Sequence, residues 1–415
     1  KLTAKVVGTN SIFTNWTSGG GSMLQTNNMI FSFTMQSNMV VNANFIPNPL
    51  NQFGGIYNGL FYEEAGVAHR SAGFFTVKVT SKFGYSGKLM LNGDAISFSG
   101  KLRIDGTADK LVSRAKFGKS PLDLSFLVDL TGGNSITGVL SDGQSWTSSI
   151  LADRWVWNEA SPATSYENLY TAVFPGFSDN SEGPVGWGSA NITVTPNGKV
   201  KIAGQMGDGQ KIKQLTTISK DGAWPFFSSL YFTKDQVVTN ANLVVKTNKE
   251  FQGSLMGWLT FSQNVPAATT NLAPQGNLSW IKTRWTNTTY VAGFTNQFDA
   301  ISSRWVGPLA EATIPPIAVT NALVTVSEGN LQNSFDVGVL VTPEKMVTAS
   351  LTNNFKIAMI KRSGVIKGTF AHPSAPLPVT KWIGVLLQDY NVGYGCFMGP
   401  TLSGSVYLRA ESEPE

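Results

Sequence analysis

The sequence predicts an all-β protein of tandem antiparallel sandwich or barrel units with internal repeats, and three observations carry that prediction. Apolar residues recur at every second position in segment after segment, the period of a strand with one buried face. Asn-Gly and Asp-Gly pairs, which tolerate the positive φ of tight hairpin turns, separate these segments at intervals of about ten residues. A Gly-containing segment also returns at three points along the chain. No window of comparable length has apolar residues at helical spacing.

The elements follow in chain order. Residues 1–47 form a small separate module, and Asn10 to Asn44 contains no charged residue. Its sheet is expected to lack an opening strand, leaving an edge free to pair with another chain. A first β-unit spans residues 48–160, beginning near Asn48-Pro49. Its strands are marked by Phe75, Val77 and Val79, by the even positions from Ile96 to Ile104, and by those from Leu122 to Leu130. Asn92-Gly93, Asp105-Gly106 and Asp142-Gly143 supply its turns. A second unit covers 161–307 from Ser161-Pro162, with Ile192 and Val194, then Val200 and Ile202, on strand faces. Its turns are Asn197-Gly198, Asp208-Gly209 and Asp221-Gly222, and Val265 to Gln275 reads as a long hairpin loop. A third unit covers 308–415, its start marked by Gly307-Pro308 or Ile314-Pro315-Pro316. There the alternation runs through Val337, Val339 and Val341, and through Ile383, Val385 and Leu387. The repeated segment begins at Val79, Val194 and Ile360, which places Gly87, Gly204 and Gly368 at equivalent positions.

Two resemblances accompany this reading. Phe13-Thr14-Asn15-Trp16, Phe31-Ser32-Phe33-Thr34-Met35 and Val41-Asn42-Ala43-Asn44-Phe45 resemble the later part of an internalin-type B repeat, a β-rich module of bacterial surface proteins. Most of residues 53–408 resembles the C-terminal β-repeat regions of large secreted multi-domain bacterial proteins. That likeness rests on Gly54 to Phe61, Ser86 to Leu89, Lys220 to Pro225, Gly257 to Thr260, Gly276 to Trp280, Gly395 to Gly399 and Ser403 to Val406. The resemblance implies an extracellular architecture and carries no catalytic residue.

Composition narrows the function classes. Of 415 residues only 14% are charged while 42% are hydrophobic, which excludes intrinsic disorder. The net charge of +5 is thinly spread, densest at Lys211 with Lys213 and at Lys361-Arg362, so nucleic acid is not an expected partner. Cys396 is the sole cysteine, which excludes an internal disulfide or a CxxC motif. No apolar run reaches the roughly 18 residues of a spanning helix, and no signal peptide is seen. No G-x-S-x-G elbow is present, and His69 and His372 read as ordinary surface or loop histidines. Glu63, Glu64, Asp105, Asp109, Asp153 and Asp221 could form a glycosidase pair only in the sense that any acids could. Asp105, Asp142 and Asp221 already serve Asp-Gly turns. No calcium-type acidic run exists, so no metal and no cofactor are expected.

Eleven tryptophans remain. Trp155 and Trp157 share a strand face, as do Trp280 and Lys282. Trp and Tyr most often fill β-cores, but exposed rings can stack on sugars; Trp285, Tyr290 and Trp305 are the glycan-contact candidates, Trp285 the most exposed. The sequence therefore points to a non-enzymatic, secreted or surface-attached structural or adhesive β-protein that self-associates into a fibre or sheath. Its partners would be other copies of itself or surface polysaccharide. The alternative is a glycan-binding module attached to a polysaccharide-degrading enzyme.

Overall fold

The computed structural model describes residues 1–26, 28–239, 244–263, 271–286, 289–307, 316–349, 352–374 and 379–411. It is all-β, with three eight-stranded antiparallel sheets in tandem behind a small N-terminal module. The first sheet runs from Gly55–Tyr62 to Thr147–Arg154, the second from Asn168–Phe174 to Phe294–Arg304, the third from Asn321–Glu328 to Ser403–Ala410. In each, consecutive strands pair as a meander, and the eighth strand pairs back onto the first. In the first two units the fourth and fifth strands, and in the third unit the third and fourth (Met346–Thr348 and Lys356–Ile360), then lie side by side without forming a ladder, so each sheet curls into a barrel with one seam.

Period-two patterning explains the cores. Along Leu122–Val128 burial alternates at every residue, with Leu122, Leu124, Phe126 and Val128 inside. Asp94–Lys101 does the same, burying Ile96 and Phe98 beside exposed Ser97 and Ser99. Each fully buried side chain of this size contributes about 1.5–3 kcal/mol. Gly106, Gly143 and Gly222 take φ of 88°, 75° and 77°, as their Asp-Gly turns require.

Three expectations need correction. Gly87 and Gly204 lie on the third strand of their units, opposite Val77 and Ala190 of the second strand. Gly368 lies on a fifth strand, between Ile357 and Trp382. The third copy of the repeated segment is therefore a likeness of turn composition, although the eight-strand unit itself recurs three times. On Thr380–Leu387 the core face is Trp382 and Leu386. Val385 and Leu387 face outward and are buried by Val173 and Ile301 of the second unit, so the alternation there marks a junction. Trp155 and Trp157 follow the strand ending at Arg154, and their indoles donate to Asn197 O (2.7 Å) and Ser219 O (3.0 Å) of the second unit. The loop read between Val265 and Gln275 falls largely at 264–270, outside the described residues, as does the boundary at 308–315.

The N-terminal module pairs Leu2–Thr3 with Ile30–Phe31 and sets Ser11–Ser18 between Met23–Thr26 and Val41–Pro47. Ala4, Phe13 and Trp16 are its buried centre. Asn48 ties it to the first unit, donating to Thr9 O (2.8 Å) and Ser81 O (2.7 Å). Between the second and third units, buried Ser403 donates to Gly207 O and accepts from Gly186 N–H at 3.0 Å. Thr171 donates to Leu386 O (2.6 Å), and Trp187 stacks on Tyr394 with ring centroids 3.9 Å apart. Among the described residues no helix is long and apolar enough to cross a membrane.

Candidate functional site

A concavity lined by both of the first two units lies over the seam of the second unit, where it meets the first. The seam is formed by Lys211–Thr217 and Ala223–Thr239. Pro225 has no N–H to offer a ladder there. The Gln214 amide replaces it, donating to Pro225 O and accepting from the buried Trp224 Nε1–H, both at 2.9 Å. Further along, Tyr231 bridges the same seam: its hydroxyl donates to Asp208 Oδ2 at 2.6 Å and accepts from Trp280 Nε1–H at 3.0 Å. The two side-chain bridges hold the strands together while the backbone between them stays unladdered.

Tyr231 is held in an unusual conformation. Its φ is 59°, and the ladder passes from Leu230↔Gly253 to Phe232↔Phe251 without it. A bulky residue in that region costs on the order of 1–3 kcal/mol and persists where its surroundings over-determine it. Gly253 makes the room: a Cβ there would sit 2.6 Å from the Tyr231 ring.

Beneath the seam lies a buried polar group. Burial raises the Asp208 carboxyl above the usual carboxylate range, opposed by the Tyr231 hydrogen bond. Burial, reinforced by Asp208, raises Tyr231 well above an ordinary phenol. Lys282 is only 3% exposed, its pKa lowered by desolvation; its Nζ donates to Tyr290 O (2.8 Å) and lies 5.5 Å from the Tyr231 ring centre.

Above the seam the two units enclose a groove of about 710 Å³, within the size range of ligand pockets. Phe74 and Met90 of the first unit face Phe227 and Phe251 of the second, with Lys211 and Lys213 on the rim. Phe251 packs over the Asn92-Gly93 turn so closely that a Cβ on Gly93 would lie 2.0 Å from its ring. His69 fixes the junction beside it. Its Nε2–H donates to Phe251 O (2.7 Å) and Nδ1 accepts from the Ser254 hydroxyl (3.3 Å); burial lowers its pKa, keeping the ring neutral. This arrangement can hold an apolar body and one anionic group. Among the described residues there is no cluster of three or more His, Cys, Asp or Glu side chains able to hold a metal.

The residues singled out from sequence lie elsewhere. Trp305 is 2% exposed inside the third core, with Nε1–H donating to Lys361 O at 2.9 Å. Burial removes it from any sugar-stacking surface. Trp285 and Tyr290 are partly buried against the second core. The Tyr290 hydroxyl donates to Asn180 Oδ1 (2.8 Å) and accepts from Ser403 N–H (2.9 Å), so it belongs to the junction with the third unit. His372 is buried, not a surface residue: Nε2–H donates to Gly329 O (2.9 Å) and Nδ1 accepts from Ser374 N–H (3.0 Å). Sequence reading missed the groove. Its one signal was Lys211 with Lys213 directly after the Asp208-Gly209 turn.

No protein-family model matches the chain, and no curated protein matches it. Among solved structures it is similar to a double mutant of transferrin binding protein B, a vaccine antigen from Haemophilus parasuis. That match has 10% identity and a TM-score of 0.22, and covers 87% of this chain and 76% of that one. It is also similar to intact Ap-TbpB with its N and C lobes, at 10% identity and a TM-score of 0.20, covering 90% of this chain and 81% of that one.

Proposed function

We propose that this chain is a non-enzymatic, extracellular structural or adhesive protein of a bacterial surface, self-associating through residues 1–47. That module is read as part of an internalin-type B repeat, and residues 53–408 as a C-terminal β-repeat region. The carrying observation is the surface of the module. Val7, Met23, Met35 and Val40 are 82%, 64%, 77% and 56% exposed, and Phe45 and Ile46 of the outer strand Val41–Pro47 are 40% and 42% exposed. No charge interrupts Asn10 to Asn44. Several large apolar side chains are thus left in water on a module of under fifty residues, and its edge strand lacks the charge that normally guards such edges. Of the three glycan-contact candidates Trp305 is interior, the Tyr290 hydroxyl is engaged, and Trp285 is partly buried, so less supports the glycan-binding alternative.

Light scattering across micromolar concentrations is the test. The chain should associate, and Met23→Lys with Met35→Lys, both at exposed positions, should return it to monomer. A wild-type chain that stays monomeric at every concentration would refute the reading. So would association that the double variant leaves unchanged.

A further inference from the structure

We propose that the groove between the first two units binds a single-chain anionic amphiphile of the fatty-carboxylate class, one molecule per chain. Apolar contacts take the chain, and Lys211 and Lys213 take the carboxylate. The inference goes beyond the surface role and does not depend on it.

Four features of the groove point to this ligand. Its walls are apolar and come from two units: Phe74 and Met90 on one side, Phe227, Leu230 and Phe251 on the other. The polar lining is asymmetric, with two cations and no acidic side chain. Those cations, Lys211 and Lys213, are a densest basic spot of a charge-poor chain, and neither has an acidic partner among the described residues. Lys211 has one acceptor, its Nζ donating to Gln205 Oε1 at 2.6 Å, and Lys213 lies two residues along the same strand face. Lastly, Leu215 is 73% exposed on the strand that carries both lysines, an apolar side chain left in water beside the charges. A carboxylate with a hydrocarbon tail matches that order of cation and apolar surface. A sugar matches it less well, because the aromatic walls are mostly phenylalanines and two of the polar lining groups, Gln214 and Tyr231, are already bonded within the protein. A neutral hydrocarbon would leave the lysines unused.

The geometry also selects a free molecule over a membrane. The groove is bounded by two units, so one chain can lie in it, whereas a bilayer would require a convex apolar surface.

The experiment titrates full-length protein with palmitate, with hexadecanol, and with anionic phosphatidylglycerol vesicles, using calorimetry and co-sedimentation. Palmitate should saturate at one per chain and bind about tenfold more tightly than hexadecanol, the difference a charge-assisted contact makes at a half-exposed site. Lys213→Gln should weaken palmitate several-fold and leave hexadecanol unchanged. Leu215→Glu, at an exposed position where folding is unaffected, should abolish saturable palmitate binding by placing a carboxylate beside the lysines. The proposal is overturned if palmitate does not saturate, or binds no better than hexadecanol. It is also overturned if both variants bind as wild type, or if only vesicles are bound.

Discussion

Tyr231 and Asp208 meet across the seam of the second unit, the phenol donating to Oδ2 at 2.6 Å from a strand that shares no ladder with those on either side of the Asp208-Gly209 turn. The bond holds a left-handed tyrosine in place beside the groove that it lines. Tyr231→Phe would remove it, orphaning a buried carboxylate oxygen and the Trp280 Nε1–H. The expected loss is about 1–3 kcal/mol, measured as a lower urea midpoint with an unchanged m-value.

Gln214 supplies the second side-chain bridge across the seam. Replacing it with Leu keeps the volume but leaves Trp224 Nε1–H, on a 0% exposed side chain, without its acceptor. A loss of about 1–3 kcal/mol is expected. Amide hydrogen exchange should localise the loosening to Lys211–Thr217 and the first residues of Ala223–Thr239.

Ser403 joins the second and third units through two buried hydrogen bonds. Ser403→Ala should cost about 1–3 kcal/mol, since Gly207 O and Gly186 N–H are left facing an alanine. Stepwise thermal unfolding, in place of one transition, is the sharper readout: it would show the third unit melting apart from the second.

Asp153 sets a pH dependence. Burial, helped by the Asp221 carboxylate, pushes it up to about 6. A carboxyl whose pKa is raised on folding binds more protons folded than unfolded between its two values. Stability therefore falls as pH rises from about 4 to about 6. Because solvent screens this partly exposed group, the drop should be about 1–2 kcal/mol. Asp153→Asn should flatten that part of the curve while leaving the rest; a wild-type midpoint that rises over this range would contradict the assignment.

The strands were legible because a half-buried strand must alternate, as Ile96, Ser97, Phe98 and Ser99 do, and because Asp-Gly pairs mark where such strands reverse. The recurrence of a β-unit was legible too, although Gly368 shows that similar turn chemistry can sit on different strands of the same ring. Candidate site residues were read poorly. Trp305 and Tyr290 looked available because their immediate neighbours are polar, but what covers them comes from Lys361, Asn180 and Ser403, far away in sequence.

Local patterning thus determined the secondary structure, the all-β class and the positions of the turns, since each depends on residues only a few apart. Tertiary structure decided which outward faces became junctions, as Val385 and Leu387 did. It also decided where a seam had to be closed by Gln214 and Tyr231, and that Phe74 and Phe251 would face each other across a groove. Those outcomes depend on contacts that close across a barrel or between units, from Asp208 with Tyr231 to Phe74 with Phe251. No periodicity encodes them, because burying an outward face requires a second unit to lie against it.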